Sequence, residues 1–300
     1  MATRVDSDTD RHLWLPRLIA AAALLGFVVP PAPAQISVTG GTVYTQNFDT
    51  LPSSGSATFS QFDSGTPTLP GVFAVRSTAG TSIAASDGAS VTGANLFSFG
   101  TGSSTDRALG SIGGSLSPGG HFAYGVVFQN TGSQALNINV QYAGEQWRNN
   151  NASAQAVSFS YATQVSAPTS ADLKAIIPTA NNTDPTGYTA VNALDFASPV
   201  FGGTAGPVDG NAAGNRQAFN QDVAVGLAPN SYLILYWSDP DHSGNDHGLA
   251  IDDLRVAFTP VPEPVTVLGT AVCGLGMTRL ARRGRRGGLP PAGGGVRIGA

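Results

Sequence analysis

A side chain in an extended strand changes face at every residue, so strict alternation of apolar and polar residues marks a strand with one buried side. This chain repeats that pattern. In ALNINVQYAG, Leu136, Ile138, Val140 and Tyr142 alternate with Asn137, Asn139 and Gln141. HFAYGVVF sets Phe122, Tyr124, Val126 and Phe128 on one face, and AQAVSFSYAT alternates Val157, Phe159 and Tyr161 with serines. SYLILYWS is apolar on both faces and reads as a central strand. GLAIDDLRVAF reads as the last strand. Helical periodicity is weak outside SADLKAII, and YTAVNALDF reads as a short strand between long loops in 178–215. With 38 Gly and 20 Pro, turns are plentiful. About ten strands between such turns predict an all-β fold, an antiparallel β-sandwich of the jelly-roll kind over residues 35–260.

The two ends have another composition. Arg11 and Arg17 precede an apolar run, Leu18 to Val29, and APAQ places Ala32 and Ala34 before Gln35. Residues 1–34 therefore read as a signal peptide, the run being too short to span a bilayer. At the other end Pro262, Glu263 and Pro264 precede an apolar segment, Val265 to Thr278, and then Arg279, Arg282, Arg283, Arg285 and Arg286. An apolar segment closed by clustered arginine is the layout of a membrane stop with its basic side in the cytoplasm.

This order resembles the PEP-CTERM sorting signal of exported bacterial proteins over 261–287. The resemblance implies an exosortase-type processing enzyme, transient anchoring in the membrane by the C-terminal helix, and a destination at the cell surface or in a matrix rich in exopolysaccharide. The tail 288–300, expected to be disordered, extends past the point where such proteins usually stop. An ordinary C-terminal anchor is the alternative.

Between the ends, six basic residues (Arg76, Arg107, Arg148, Lys174, Arg216 and Arg255) stand against fourteen Asp and Glu145, a net charge of −9. Such a surface repels phosphate backbones and excludes nucleic acid as a partner. The lone cysteine, Cys273, excludes an intrachain disulfide and a cysteine-based zinc cluster.

No nucleophile elbow is present and Glu145 is the only Glu of 35–260, so nothing meets the nucleophile–base or paired-acid requirement and a non-catalytic protein is expected. Two stretches carry candidate sites. In GEQWRNNN, Trp147, Arg148 and Glu145 are candidates for sugar binding, with Trp147 stacking from a loop. The alternative is that Trp147 plugs the sandwich edge while Glu145 and Arg148 form an ion pair. In SDPDHSGNDHGLAIDDLRV, Asp239, Asp241, Ser243 and Gly244 match the front half of a calcium loop, although the twelfth position is Ala250 rather than Glu. His242 and His247 read as solvated loop residues. Asp252 and Asp253 put at least one carboxylate towards the interior, where it requires a cation or several N–H donors.

The opening YTQNFDTL and closing IDDL resemble the ends of extracellular jelly-roll modules, MAM-type and carbohydrate-binding domains among them. That resemblance implies adjacent terminal strands and a shared structural calcium held by Asp49 with Asp252 or Asp253. The expected function is an exported, non-catalytic surface or matrix protein associated with exopolysaccharide. A purely structural surface protein without ligand and a polysaccharide-acting enzyme are the alternatives.

Overall fold

The computed structural model describes residues 35–58, 69–77, 82–89, 93–114, 120–177 and 187–263. The signal peptide, the apolar C-terminal segment with Pro264 and the Arg cluster, and the tail lie outside the described residues.

In chain order the first strands are β1 (Ile36–Val38), β2 (Val43–Gln46), β3 (Ser56–Thr58), β4 (Val72–Arg76), β5 (Ser82–Ser86), β6 (Asn95–Phe99), β7 (Ala108–Ile112) and β8 (Phe122–Asn130). Then follow β9 (Leu136–Asn149), β10 (Ala156–Gln164), helix α1 (Ser170–Lys174), β11 (Thr189–Ala190), β12 (Phe196–Ala197), β13 (Gly206–Pro207), β14 (Arg216–Leu227), β15 (Tyr232–Asp239) and β16 (Gly248–Pro260). They form a two-sheet sandwich. The first sheet runs β1-β8-β15-β10-β11, with β4 also on β8 and β12 on β10. The second runs β13-β9-β16-β7-β6-β5-β3, with β14 also along β9 and β2 along β16. Pairing is antiparallel except for β1 with β8 and β5 with β6. The opening and closing strands are neighbours, Gln46 of β2 standing opposite Leu254 of β16.

The sandwich interior takes the alternating residues of both sheets: Leu136, Ile138, Val140 and Tyr142 from β9, and Leu233, Leu235 and Trp237 from β15. A second apolar cluster covers the outside of the first sheet. There Ile234 and Tyr236 of β15 and Ala123 and Val127 of β8 meet Leu173, Ile176 and Ile177 of the α1 segment. This is why SYLILYWS is apolar on both faces. The helix starts in a capping box, in which the Thr169 amide donates to Asp172 Oδ2 at 2.7 Å and the Asp172 amide to Thr169 Oγ1 at 3.3 Å. Instead of one short strand, YTAVNALDF forms β11, a 3-10 turn over Asn192–Leu194 and β12. The side chain that interrupts it is Asp195, whose Oδ1 accepts from the Phe159 amide at 2.8 Å.

A third cluster covers one half of the outside of the second sheet, where Phe97, Phe99, Ala108, Ile112, Trp147 and Ala250 pack together. It arises from a β-bulge. From Leu249, opposite Gln146, to Asp252, opposite Ala143, β16 keeps one register with β9; from Arg255, opposite Gln141, the register is shifted by a residue. Before the bulge Leu249 and Ile251 face the interior, and after it Leu254, Val256 and Phe258 do. The inward set thus changes from odd to even numbers across Asp252 and Asp253. Asp253 takes φ 51°, a left-handed conformation that aspartate tolerates better than most residues.

Close packing leaves no room for a Cβ at Gly144, where one would lie 2.3 Å from the Phe196 ring. Gly144→Ala is expected to destabilise the fold by about 1–3 kcal/mol through overpacking, read as a lowered thermal midpoint. Gly206→Ala, where nothing lies within 4 Å, is the control and should leave the midpoint nearly unchanged.

Candidate functional site

β9 does not end before GEQWRNNN but runs on to Asn149. Its outward residues are Asn137, Asn139 and Gln141, then Ala143, Glu145 and Trp147, and only the first three are open to solvent. Trp147 is 1% exposed. Its ring is stacked on Phe99 at 6.1 Å, and its Nε1 donates to Glu145 Oε2 at 3.0 Å. Trp147 is therefore a core residue that cannot stack on a sugar from solvent, a correction to the loop placement. The ion-pair expectation is also corrected. Glu145 Oε1 faces Arg216 Nε at 3.5 Å, and Arg216 Nη2 binds Asp253 Oδ2 at 2.5 Å. Arg148 turns elsewhere, donating from Nε to Asn150 Oδ1 at 2.5 Å and from Nη1 to the Gly88 carbonyl at 2.7 Å.

The five candidate aspartates are not brought together. Asp49 follows β2, its Oδ1 accepting from the Arg107 amide at 3.2 Å and its Oδ2 from Asn47 Nδ2 at 2.6 Å. Asp239, buried at the end of β15, accepts from Ser111 Oγ of the opposite sheet at 2.6 Å. The amide of Asp241 donates to His121 Nδ1 at 3.0 Å. Asp252 is buried on the outer side beside Glu145, its Oδ1 accepting from the Asp253 amide at 2.7 Å, and Asp253 is exposed. Among the described residues no three His, Cys, Asp or Glu side chains are placed to hold a metal ion. The donor set as folded does not fit the shared calcium of the resemblance.

His247 is not solvated. It is buried, its Nδ1 accepts from the Asn150 amide at 3.0 Å, and its Nε2 faces the Ser153 carbonyl at 3.2 Å. Burial lowers its pKa, which favours the neutral ring. His242 stands 3.3 Å from Asp246 Oδ1. Burial alone would lower its pKa, but Asp246 and Asp239 outweigh that and raise it.

These contacts build a cleft of about 510 Å³ at one end of the sandwich. Arg148, Asn150, Asn245 and Asp246 line it, with Gly93, Gly113, Gly114 and Gly244 forming low walls and Ala205 on one side. Asn150 is pinned by Arg148, by His247 and by its own Nδ2 bond to the Asp246 carbonyl at 2.5 Å. Arg148 Nη2 has no partner among the described residues. Gln146 Nε2 grips the Val200 carbonyl at 2.7 Å, and Asn149 Nδ2 grips that of Gly202 at 2.7 Å. These bonds fix the loop that supplies Ala205 and holds Phe201 in solvent, 58% exposed. Of the candidates Trp147, Arg148 and Glu145, Arg148 reaches this cleft. Asn150, one of the three asparagines of GEQWRNNN, and Asp246, a carboxylate of SDPDHSGNDHGLAIDDLRV, also line it, whereas Asn245 was not singled out.

No described helix is long and apolar enough to cross a membrane. No family model matches the chain, and no curated protein matches its sequence. Among solved structures, a xylan-binding domain from Paenibacillus barcinonensis aligns at 8% identity and TM-score 0.29, covering 75% of this chain and 99% of that one. A family 11 carbohydrate-binding module from Clostridium thermocellum, in complex with a β-1,3-1,4-mixed-linked tetrasaccharide, aligns at 8% identity and TM-score 0.26, covering 71% and 100%. Scores this low bear on neither site nor ligand.

The buried carboxyls set a pH dependence. Burial raises Glu145 to about 7, opposed by Arg216 and Trp147. Burial, then repulsion from Glu145, raises Asp252 to about 8. Burial raises Asp239 to about 7 against the Ser111 hydroxyl bond. The folded protein keeps these protons where the unfolded chain has released them, so their stabilisation is complete below about pH 4 and is lost as pH rises through 7 to 8. The thermal midpoint is expected to fall by several degrees between about pH 5 and about pH 8. Asp252→Asn, which cannot ionise, should flatten that slope; a midpoint rising over the same interval would contradict it.

Proposed function

We propose that this chain is an exported, non-catalytic surface or matrix protein that binds extracellular polysaccharide through the cleft at Arg148. The observation that carries this reading is one open cleft lined by a fixed set of donors and acceptors, beside a loop that lends it Ala205 and holds the aromatic Phe201 in solvent. A pyranose offers an apolar face and a rim of hydroxyls, and such a ligand is held by a ring beneath it and by polar groups at its edge. Arg148 and the amides of Asn150 and Asn245 supply donors, and Asp246 supplies an acceptor. The net charge of −9 over 35–260 favours a neutral or amino-bearing polymer over a polyanion.

The buried carboxyls argue against hydrolysis. Glu145 and Asp252 are 1% and 2% exposed and lie under the covered half of the second sheet, away from the cleft. A glycosidase needs its acid and base at the scissile bond. Sorting follows the PEP-CTERM-type end: an exosortase-type enzyme cuts near Pro262, Glu263 and Pro264 after membrane insertion of the apolar segment, and the domain is delivered to the cell surface or matrix.

Binding is tested by affinity electrophoresis of the exported protein in gels containing neutral, acidic and amino-sugar polysaccharides. Retardation by a neutral or amino-bearing polymer is expected. Phe201→Ala should weaken it about tenfold, the equivalent of about 1.4 kcal/mol, and Arg148→Ala by a similar factor with circular dichroism unchanged. No retardation in any gel would overturn the reading. Export is tested by intact mass of protein recovered from the native host. A chain beginning at Gln35 and ending between Pro262 and Pro264 is expected, and recovery with Met1 or the Arg cluster retained would overturn it.

A further inference from the structure

From the outer edge of the second sheet we infer that β14 is a self-association edge, through which two copies of this chain pair antiparallel into one continuous sheet. Along Arg216–Leu227 β14 pairs with β9 alone, and its other side has no backbone partner among the described residues. Long edge strands are normally guarded by Lys, Pro or a bulge, because unpaired N–H and C=O groups invite another strand. β14 contains neither Lys nor Pro. Its irregularity lies beyond Val223, so Arg216 to Val223 is an undistorted template. β12 nearby reaches this region through side chains, Phe196 against Phe219.

The occupant is a second copy because the edge complements itself. A two-fold axis perpendicular to the sheet keeps both sandwiches on one side and requires opposed residues to share a face. With the axis at Asn220, Ala218 meets the partner's Asp222 and Gln217 meets the partner's Val223. Asp222 is the only charge between Gln217 and Val223, so no like charges meet. Asn220 is exposed, and its Oδ1 accepts from Asn139 Nδ2 at 2.8 Å. Its own Nδ2, with no partner among the described residues, is left to donate across the axis to the partner's Asn220, and the bond is returned. This edge is separate from the cleft, and the inference does not depend on glycan binding.

The test uses the exported protein, with Cys273→Ser in the gene so that any unprocessed chain also carries no cysteine. Light scattering is expected to give a dimer, and amide exchange to show slow exchange in β14. Asn220→Cys should form a disulfide-linked dimer on mild oxidation, whereas Thr45→Cys, exposed on β2, should not. Asn220→Lys sets two like charges across the axis and should give monomer, with circular dichroism unchanged. Monomer at every concentration, a dimer that persists in Asn220→Lys, or equal cross-linking of Thr45→Cys would each overturn the inference. If Asn220→Lys fails to fold, the two cysteine variants decide.

Discussion

The bulge between Asp252 and Arg255 organises the second sheet. A strand has two faces and period two, so a single extra residue exchanges them. β9 has its own irregularity further on, at Trp147 opposite Gly248 and Leu249, and alongside this bulge it keeps Leu136, Ile138, Val140 and Tyr142 inward. The mismatch lets β16 bury Leu249 and Ile251 at one end and Leu254, Val256 and Phe258 at the other. On the outside, Ala250 joins Trp147 and the phenylalanines of β6. One half of the outer surface becomes a small core and the other half stays a row of amides on Asn137, Asn139 and Gln141.

That division accounts for the polar chemistry. Covering the first half traps Glu145 and Asp252 side by side, with Arg216 as the cation that faces them and Asp253 beyond it. One guanidinium, shared with the exposed Asp253, does not offset the desolvation of both Glu145 and Asp252, so these two hold their protons towards neutral pH. The same covering fixes the end of β9, because Arg148, Asn149 and Asn150 leave the sheet already bonded to the surrounding loops. The cleft is thus held by a rigid strand end, which favours binding by limiting the entropy lost on contact. The uncovered half ends at β14, where backbone groups face solvent. Cleft and edge therefore come from the two sides of one bulge, one suited to a ligand and the other to a second copy of the chain.

The sandwich was legible in the sequence because alternation reports burial directly, and the residues it put inward on β8, β9 and β10 pack in or against the sandwich interior. The helix at SADLKAII and the neighbouring terminal strands were legible too. The trapped tryptophan was not. Trp147 shares a face with Asn137 and Asn139, and that face reads as wet until loops distant in sequence are laid over it. The same holds for His247, which sits among turn residues and is buried by Asn150, Ser153 and Gln155.

By itself the sequence determined the fold class, the strands, the acidic surface and the expected sorting ends, all properties of local pattern and composition. It also determined that carboxylates would crowd the last strand. Only the tertiary structure decided what surrounds them. Asp252 meets Glu145 from another strand, Asp239 meets Ser111 from the opposite sheet, and Asp49 turns to the Arg107 amide. Whether a carboxylate holds a metal, a proton or an N–H depends on neighbours tens of residues away, and alternation along one strand carries no record of them.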